Sequence, residues 1–137
     1  MLTIYSDGGS RGNPGPCAYA IVVTDDGRII FEDSKFLGIE TNNYAEYRGL
    51  IAAINKAIEL GAKEAHFVMD SELVIKQMNG EYRVKSPKMA ELHANAKSLA
   101  SLIDKVSFTH VRRSNEFVSR ADYLLNRTMD LNSGSSR

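Results

Sequence analysis

The chain has 137 residues, of which 43% are hydrophobic and 25% charged, and this balance is typical of a soluble globular domain. Its 17 basic and 17 acidic residues cancel, so the net charge provides no general attraction to nucleic acids or to membranes. A single cysteine and three histidines exclude an internal disulfide and a zinc site. Because the sequence has neither a signal-peptide pattern nor a membrane span, we expect a cytoplasmic protein without membrane partners. We also expect the protein to be a monomer.

The first part of the chain predicts three antiparallel strands. Residues 2–7 alternate between apolar and polar side chains, as expected for a half-buried strand. The β-rich runs 17–24 and 28–37 are joined by Asp25-Asp26-Gly27, a sequence typical of a hairpin turn. The three strands should therefore pair in sequential order.

The remainder of the chain predicts helices that alternate with strands. Apolar residues recur at three- and four-residue steps from Asn43 to Gly61, which predicts a helix ended by glycine. The later elements are a strand at 65–69, helices at 71–78 and 87–103, a strand at 105–111 and a helix at 117–130. Strands separated by helices pair in parallel through right-handed crossovers. The predicted fold class is therefore α/β, with a mixed sheet flanked by helices.

The domain organisation follows from the distribution of apolar residues. We expect a single domain over residues 1–130, because 137 residues are too few for two ordinary domains. Residues 131–137 are small and polar, with little to bury, and are predicted to form a flexible tail.

Four acidic residues lie near the predicted ends of elements, and each has a structural explanation of its own. Asp7 ends a strand and could form an Asx turn, whereas Asp70 could cap the helix that follows it. Glu46 has the spacing of a capping box with Asn43, and Asp122 could be a first-turn helix acid. For each residue alone the structural explanation is the stronger one. The functional interpretation depends on all four meeting at one sheet edge, where open α/β sheets bind ligands.

Four neighbouring carboxylates would repel one another unless a divalent cation neutralised them. Oxygen ligands alone favour Mg²⁺ or Mn²⁺, and pairs of such ions commonly promote attack of water on a phosphodiester. Local basic groups could supply affinity for a polyanion, although scattered surface charge is the simpler interpretation. These groups are Lys76, Arg83, Lys85 and Lys88 in the middle and Arg112, Arg113, Arg120 and Arg127 near the end.

Four motifs together resemble type 1 ribonuclease H, the endonuclease that cuts the RNA strand of RNA/DNA hybrids. They are YSDGGSRGNPGP, TNNYAEYRGLIAAI, MDSELVIKQMNGEY and HVRRSNEFVSRADYLLN, which occur in the family's order from Leu2 to about Asp130. The similarity is greatest to the short archaeal and bacterial members. It implies a five-stranded ribonuclease H-like sheet, a mechanism with two Mg²⁺ ions for which Mn²⁺ is a possible substitute, and products with 3′-hydroxyl and 5′-phosphate ends.

The resemblance also implies specific site residues. The metal-binding acids would be Asp7, Glu46, Asp70 and Asp122. The residues implied to contact the hybrid are Gly8, Gly12, Asn13, Thr41, Asn42, Asn43, Ser71, Lys76, Arg83 and Lys85. The asparagines would lie in the minor groove, where 2′-hydroxyls distinguish RNA, and the glycines would let the backbone approach the nucleic acid closely.

The sequence departs from the family pattern at several places. Only NGEYRVKSPK joins two helices where some members carry a basic, tryptophan-bearing protrusion, so we expect weaker and more salt-sensitive binding. Arg112 replaces a common histidine and is predicted to assist catalysis electrostatically. Val118 replaces a common asparagine, with Asn115 displaced by three residues, and Glu72 replaces a common glutamine.

Two other functions remain open at this stage. A nuclease with the same fold could act on double-stranded RNA or branched DNA, and comparing cleavage of these substrates would separate the two activities. The chain could also be a non-catalytic hybrid-binding module, but a decayed site would not need to keep all four acids.

Overall fold

A computed structural model describes residues 1–133 and shows a five-stranded mixed sheet with helices on both faces. The elements are β1 Leu2–Ser10, β2 Gly15–Asp25, β3 Arg28–Glu40, α1 Asn42–Glu59, β4 Glu64–Met69, α2 Glu72–Met78, α3 Pro87–Ala100, β5 Lys105–His110 and α4 Glu116–Ser133. The strand order is β3-β2-β1-β4-β5. The first three strands pair antiparallel, whereas β1 with β4 and β4 with β5 pair parallel. The predicted fold class is confirmed.

The sheet separates two apolar cores, because alternate residues of β2 point to opposite faces. Tyr19, Ile21 and Val23 pack in a larger core with α1, α2 and α3. The smaller core joins β2 to α4 and contains Ala18, Ala20, Val22, Ala121, Leu125 and Met129. The four-residue spacing of the α4 members places them on one face of that helix. This packing fixes the position of α4 against the β1–β2 part of the sheet.

The register of β1 against β4 determines where two of the predicted acids emerge. Tyr5 is the last residue of β1 that pairs with β4, and its partner is Val68. Asp7 lies two residues after Tyr5 and Asp70 lies two residues after Val68, so the two acids are side by side just beyond the paired part of the strands. Asp7 does not end its strand, as the sequence had suggested, because the pairing of β1 with β2 continues to Ser10.

Several element boundaries differ from those predicted. Asp26 and Gly27, both with positive φ, form a two-residue hairpin turn as expected. Helix α3 ends at Ala100, three residues before the predicted end at 103. Helix α4 continues to Ser133 and includes the start of the predicted tail, while residues 134–137 lie outside the described part of the chain. No helix within residues 1–133 is long and apolar enough to cross a membrane.

Candidate active site

The four predicted acids line one cavity of about 280 Å³ at the edge of the sheet. Asp7 comes from β1, Glu46 from α1, Asp70 from the residue after β4, and Asp122 from α4. Asp7 shares the α4 face of the sheet with Tyr5, whereas α1 lies on the opposite face. The cavity therefore collects carboxylates from both faces of the sheet.

Asp7 is the most buried of these acids, with only 5% of its surface exposed. Burial, followed by the nearby Asp70 and Asp122 carboxylates, raises the pKa of Asp7 from its usual 3.8 to about 8. Its Oδ2 atom has no hydrogen-bond partner within the described residues. A buried carboxylate oxygen without a partner, facing two other acids, is the local environment that a bound cation would stabilise.

Glu46 is oriented by a hydroxyl group from the start of α2. Ser71 Oγ donates a hydrogen bond to Glu46 Oε1 at 3.1 Å and accepts one from the Val74 backbone N–H at 3.3 Å. Burial raises the pKa of Glu46 to about 7, a shift that the Ser71 hydrogen bond opposes and the Asp70 charge reinforces. Ser71 therefore links the cap of α2 to the acid on α1.

The structure contradicts the capping explanations for Asp70 and Glu46. The N-cap of α2 is Ser71 and not Asp70, so the Asp70 carboxylate is free to face the cavity. The N-cap of α1 is Thr41, whose hydroxyl accepts a hydrogen bond from the Tyr44 backbone N–H at 3.2 Å. The capping box predicted from Asn43 to Glu46 is therefore absent from the described N-terminus of α1.

Asp122 lies in the second turn of α4, not in the first. Asn115 Oδ1 caps this helix by accepting hydrogen bonds from the backbone N–H groups of Phe117 at 3.0 Å and Val118 at 3.1 Å. This capping role explains the displaced asparagine noted in the sequence, and Val118 is fully buried. Asp122 Oδ1 instead accepts hydrogen bonds from Asn126 Nδ2 at 3.2 Å and from Arg113 Nη2 at 3.3 Å.

The arginine that the structure places against the acids is Arg113. Its guanidinium lines the cavity, and the Asp122 carboxylate, followed by Asp7 and Asp70, raises the pKa of Arg113. Arg112, which the resemblance had singled out, is exposed and does not line the cavity. Adjacent side chains outside a helix point in different directions, so the neighbouring arginine was an equally good candidate that sequence analysis missed.

The glycines of the first motif have internal roles that the sequence analysis did not predict. A Cβ on Gly8 would lie 2.3 Å from the backbone oxygen of Ala45, so this glycine permits close packing of β1 against α1. Gly12 adopts φ +91°, a conformation that disfavours other residues. These features explain both glycines within the fold, and Gly8 also lines the acidic cavity. Their contact with the hybrid stays a prediction.

Asn13 and Asn42 connect the β1–β2 loop to the start of α1. Asn13 Oδ1 accepts a hydrogen bond from the Asn42 backbone N–H at 3.0 Å, and Asn42 Oδ1 accepts one from the Ser10 backbone N–H at 3.2 Å. Asn42 also lines the acidic cavity, whereas the following residue, Asn43, is exposed and lines a separate groove.

This neighbouring groove has a volume of about 540 Å³ and lies along the connection between α2 and α3. It contains the predicted residues Asn43, Arg83 and Lys85. Sequence analysis missed Tyr82, whose exposed ring also lines the groove and has Lys76 Nζ 5.2 Å from its centroid. Glu72 Oε2 lies 3.8 Å from the same Lys76 nitrogen and offsets part of its charge. Arg83, Lys85 and Tyr82 thus form an exposed basic and aromatic surface.

Comparison with known proteins identifies the family. A family model described as reverse transcriptase-like matches residues 6–128. Ribonuclease HI of Halobacterium salinarum is 40% identical over 127 residues, which make up 92% of this chain and 63% of that protein. The chain belongs to the ribonuclease H family.

Solved structures extend this ribonuclease H similarity to nearly the whole fold. The N-terminal RNase H domain of a Mycobacterium tuberculosis protein has a TM-score of 0.92 and 42% identity, covering 99% of this chain and 98% of that one. LC11-RNase H1 in complex with an RNA/DNA hybrid has a TM-score of 0.88 and 38% identity, covering 96% and 98% of the two chains. The chain spans 35% of the length of the full mycobacterial protein.

The donor set of this ribonuclease H site fits hard divalent cations. All four acids offer carboxylate oxygens, and the unpartnered Oδ2 of Asp7 is available as a ligand. Within residues 1–133, no three acidic, histidine or cysteine side chains are arranged as a complete metal site.

Proposed function

We propose that this chain is an endonuclease that hydrolyses the RNA strand of RNA/DNA hybrids. The observation that carries the proposal is the convergence of Asp7, Glu46, Asp70 and Asp122 on one cavity in a member of the ribonuclease H family. The hybrid-bound structure of the similar LC11-RNase H1 supports the choice of substrate.

We propose that the four carboxylates hold two Mg²⁺ ions, for which Mn²⁺ could substitute. Such ions supply activation of a water molecule and charge stabilisation at the departing 3′ oxygen, which would leave 3′-hydroxyl and 5′-phosphate ends. Asp7 provides a buried ligand near Asp70 and Asp122, while Ser71 holds Glu46 in place. Arg113 reduces the net negative charge at the cavity, which favours the approach of a phosphate.

The second strand of the duplex would follow the groove beside the cavity. Asn42 faces the cavity and Asn43 the groove, so the start of α1 lies between the two depressions. Arg83 and Lys85 can contact phosphates there, and the exposed Tyr82 ring offers a surface for stacking. Because few basic residues line this groove, we expect the duplex to bind weakly.

The test is a cleavage assay with a panel of labelled substrates in Mg²⁺. We expect internal cuts with 3′-hydroxyl ends in the RNA of an RNA/DNA hybrid, and none in EDTA. Comparable cleavage of double-stranded RNA or branched DNA would favour the alternative nuclease. Binding of the hybrid by folded protein without cleavage in Mg²⁺ or Mn²⁺ would identify a non-catalytic module and reject the proposal.

A further inference from the structure

A continuous set of polar contacts joins the β1–β2 loop to Asp122. Asn126 Nδ2 donates hydrogen bonds to Asp122 Oδ1 at 3.2 Å and to the Asp122 backbone oxygen at 2.9 Å. Asn126 Oδ1 accepts a hydrogen bond from Arg11 Nη2 at 3.2 Å, and the same nitrogen lies 3.3 Å from the Asn126 backbone oxygen. Arg11 Nη1 forms an ion pair with Asp130 Oδ1 at 2.8 Å.

The chemistry of these groups fixes the orientation of the Asn126 amide. An ionised carboxylate only accepts hydrogen bonds and a guanidinium only donates them, so the amide NH₂ must face Asp122 and the amide oxygen must face Arg11. An aspartate here could not donate to Asp122, and an apolar side chain could do neither. Asp122, Asn126 and Asp130 follow at four-residue spacing, which places all three on one face of α4.

Asn126 is better suited than Arg113 to hold the Asp122 carboxylate. Both donate to the same oxygen, but the Arg113 side chain is long and 74% exposed. Asn126 is shorter, partly buried, and attached to the same helix one turn from Asp122. Fewer rotatable bonds need to be ordered for its contact, so the loss of conformational entropy is smaller.

We infer that Asn126 is a positioning residue for Asp122 and that Arg11 acts through it. Arg11 directly precedes Gly12 and Asn13, so the network links the Asp122 carboxylate to the loop whose residues the family resemblance implies contact the hybrid. Ordering of that loop by substrate would then also order a metal-binding acid. This inference rests on the proposed function.

The experiment measures Mg²⁺ binding to the substrate-free protein by calorimetry, together with kcat and KM on the hybrid. Asn126→Ala should weaken Mg²⁺ affinity and lower kcat about tenfold each, with KM for the hybrid nearly unchanged. Arg11→Ala should cause about a threefold loss in the same two quantities, and the double variant should be no worse than Asn126→Ala. The matched control is Asn132→Ala, because Asn132 also bonds the backbone oxygen four residues earlier, Thr128, but has no hydrogen bond to a carboxylate within the described residues. It should behave as wild type.

Several results would overturn the inference while leaving the proposed function intact. These are an Asn126→Ala variant that binds Mg²⁺ and cleaves like wild type, an Arg11→Ala variant that changes only KM, or independent losses that multiply in the double variant. Wild-type protein that neither binds Mg²⁺ nor cuts the hybrid would instead reject the proposed function, and this inference with it.

Discussion

At the scale of single residues, the cavity stores unfavourable electrostatic free energy that a cation can relieve. Asp7 is buried and Glu46 is half-buried beside other acids, and their pKa values are raised to about 8 and about 7 respectively. Their carboxylates are therefore arranged for ligand binding at some cost to the stability of the metal-free fold.

Asp7→Asn should stabilise the metal-free protein. The pKa of Asp7 is higher in the folded state than its usual 3.8, so its contribution to stability is full below about pH 4 and is lost as the pH rises through about 8. Asparagine does not ionise, so the variant does not lose this stability as the pH rises. We expect a gain on the order of 1–3 kcal/mol at pH 9 in EDTA and a smaller one at pH 5, measured by thermal denaturation. An Asp7→Asn variant that is less stable than wild type at pH 9 would contradict this electrostatic account.

Ser71→Ala should impair both the helix and the acid that Ser71 contacts. Loss of the α2 cap should cost about 1 kcal/mol of unfolding free energy. Loss of the hydrogen bond to Glu46 should lower cleavage about tenfold, as is usual for groups that orient a metal ligand. Ser71→Thr keeps a hydroxyl and serves as the control in both denaturation and cleavage assays. Equal losses in the two variants would show that the hydroxyl is not the important group.

At the scale of elements, the site depends on the close approach of β1 and α1. Gly8 lies where the strand meets the backbone of Ala45 and Glu46, and the acid of α1 reaches the cavity only because the two elements are nearly in contact. On the other face, small alanines of β2 allow α4 to pack closely and to bring Asp122 to the same edge.

Gly8→Ala should be strongly destabilising, because the added Cβ would lie 2.3 Å from the Ala45 oxygen and 2.6 Å from the Glu46 nitrogen. These are backbone atoms that cannot move without shifting the helix, so we expect a loss of about 2–4 kcal/mol by chemical denaturation. Gly9→Ala is the matched control, because its Cβ would be 3.7 Å from the nearest atom, Asn42 Oδ1. If the two variants were equally stable, close packing at Gly8 would not be the reason for glycine.

At the scale of the whole molecule, the sequence predicted the fold and the meeting of the acids but not the contacts that orient them. The mixed sheet followed from the order of periodic segments, and the convergence of Asp7 with Asp70 followed from parallel pairing. The caps were misassigned because Asp70 is followed by Ser71, another good capping residue, and only tertiary packing decides between such neighbours.

The roles of Arg113 and Asn126 could not be predicted because they depend on how α4 and the preceding loop pack against the sheet. Neither residue carries a distinctive local pattern, and the Asn126 amide accepts a hydrogen bond from Arg11, which is 115 residues earlier in the chain. Tyr82 was missed for a similar reason, since an isolated exposed aromatic residue has no meaning until the surrounding groove is known.

The most direct measurement of the central claim is the rate of RNA cleavage in a labelled RNA/DNA hybrid by wild type, Asp70→Asn and Asp104→Asn in Mg²⁺. Asp104 is an exposed acid that does not line the cavity. We predict that Asp70→Asn loses at least about a hundredfold in rate, because an amide cannot replace the charge needed by cation and transition state, while Asp104→Asn cleaves like wild type. Cleavage by folded Asp70→Asn at the wild-type rate would contradict the four-carboxylate site.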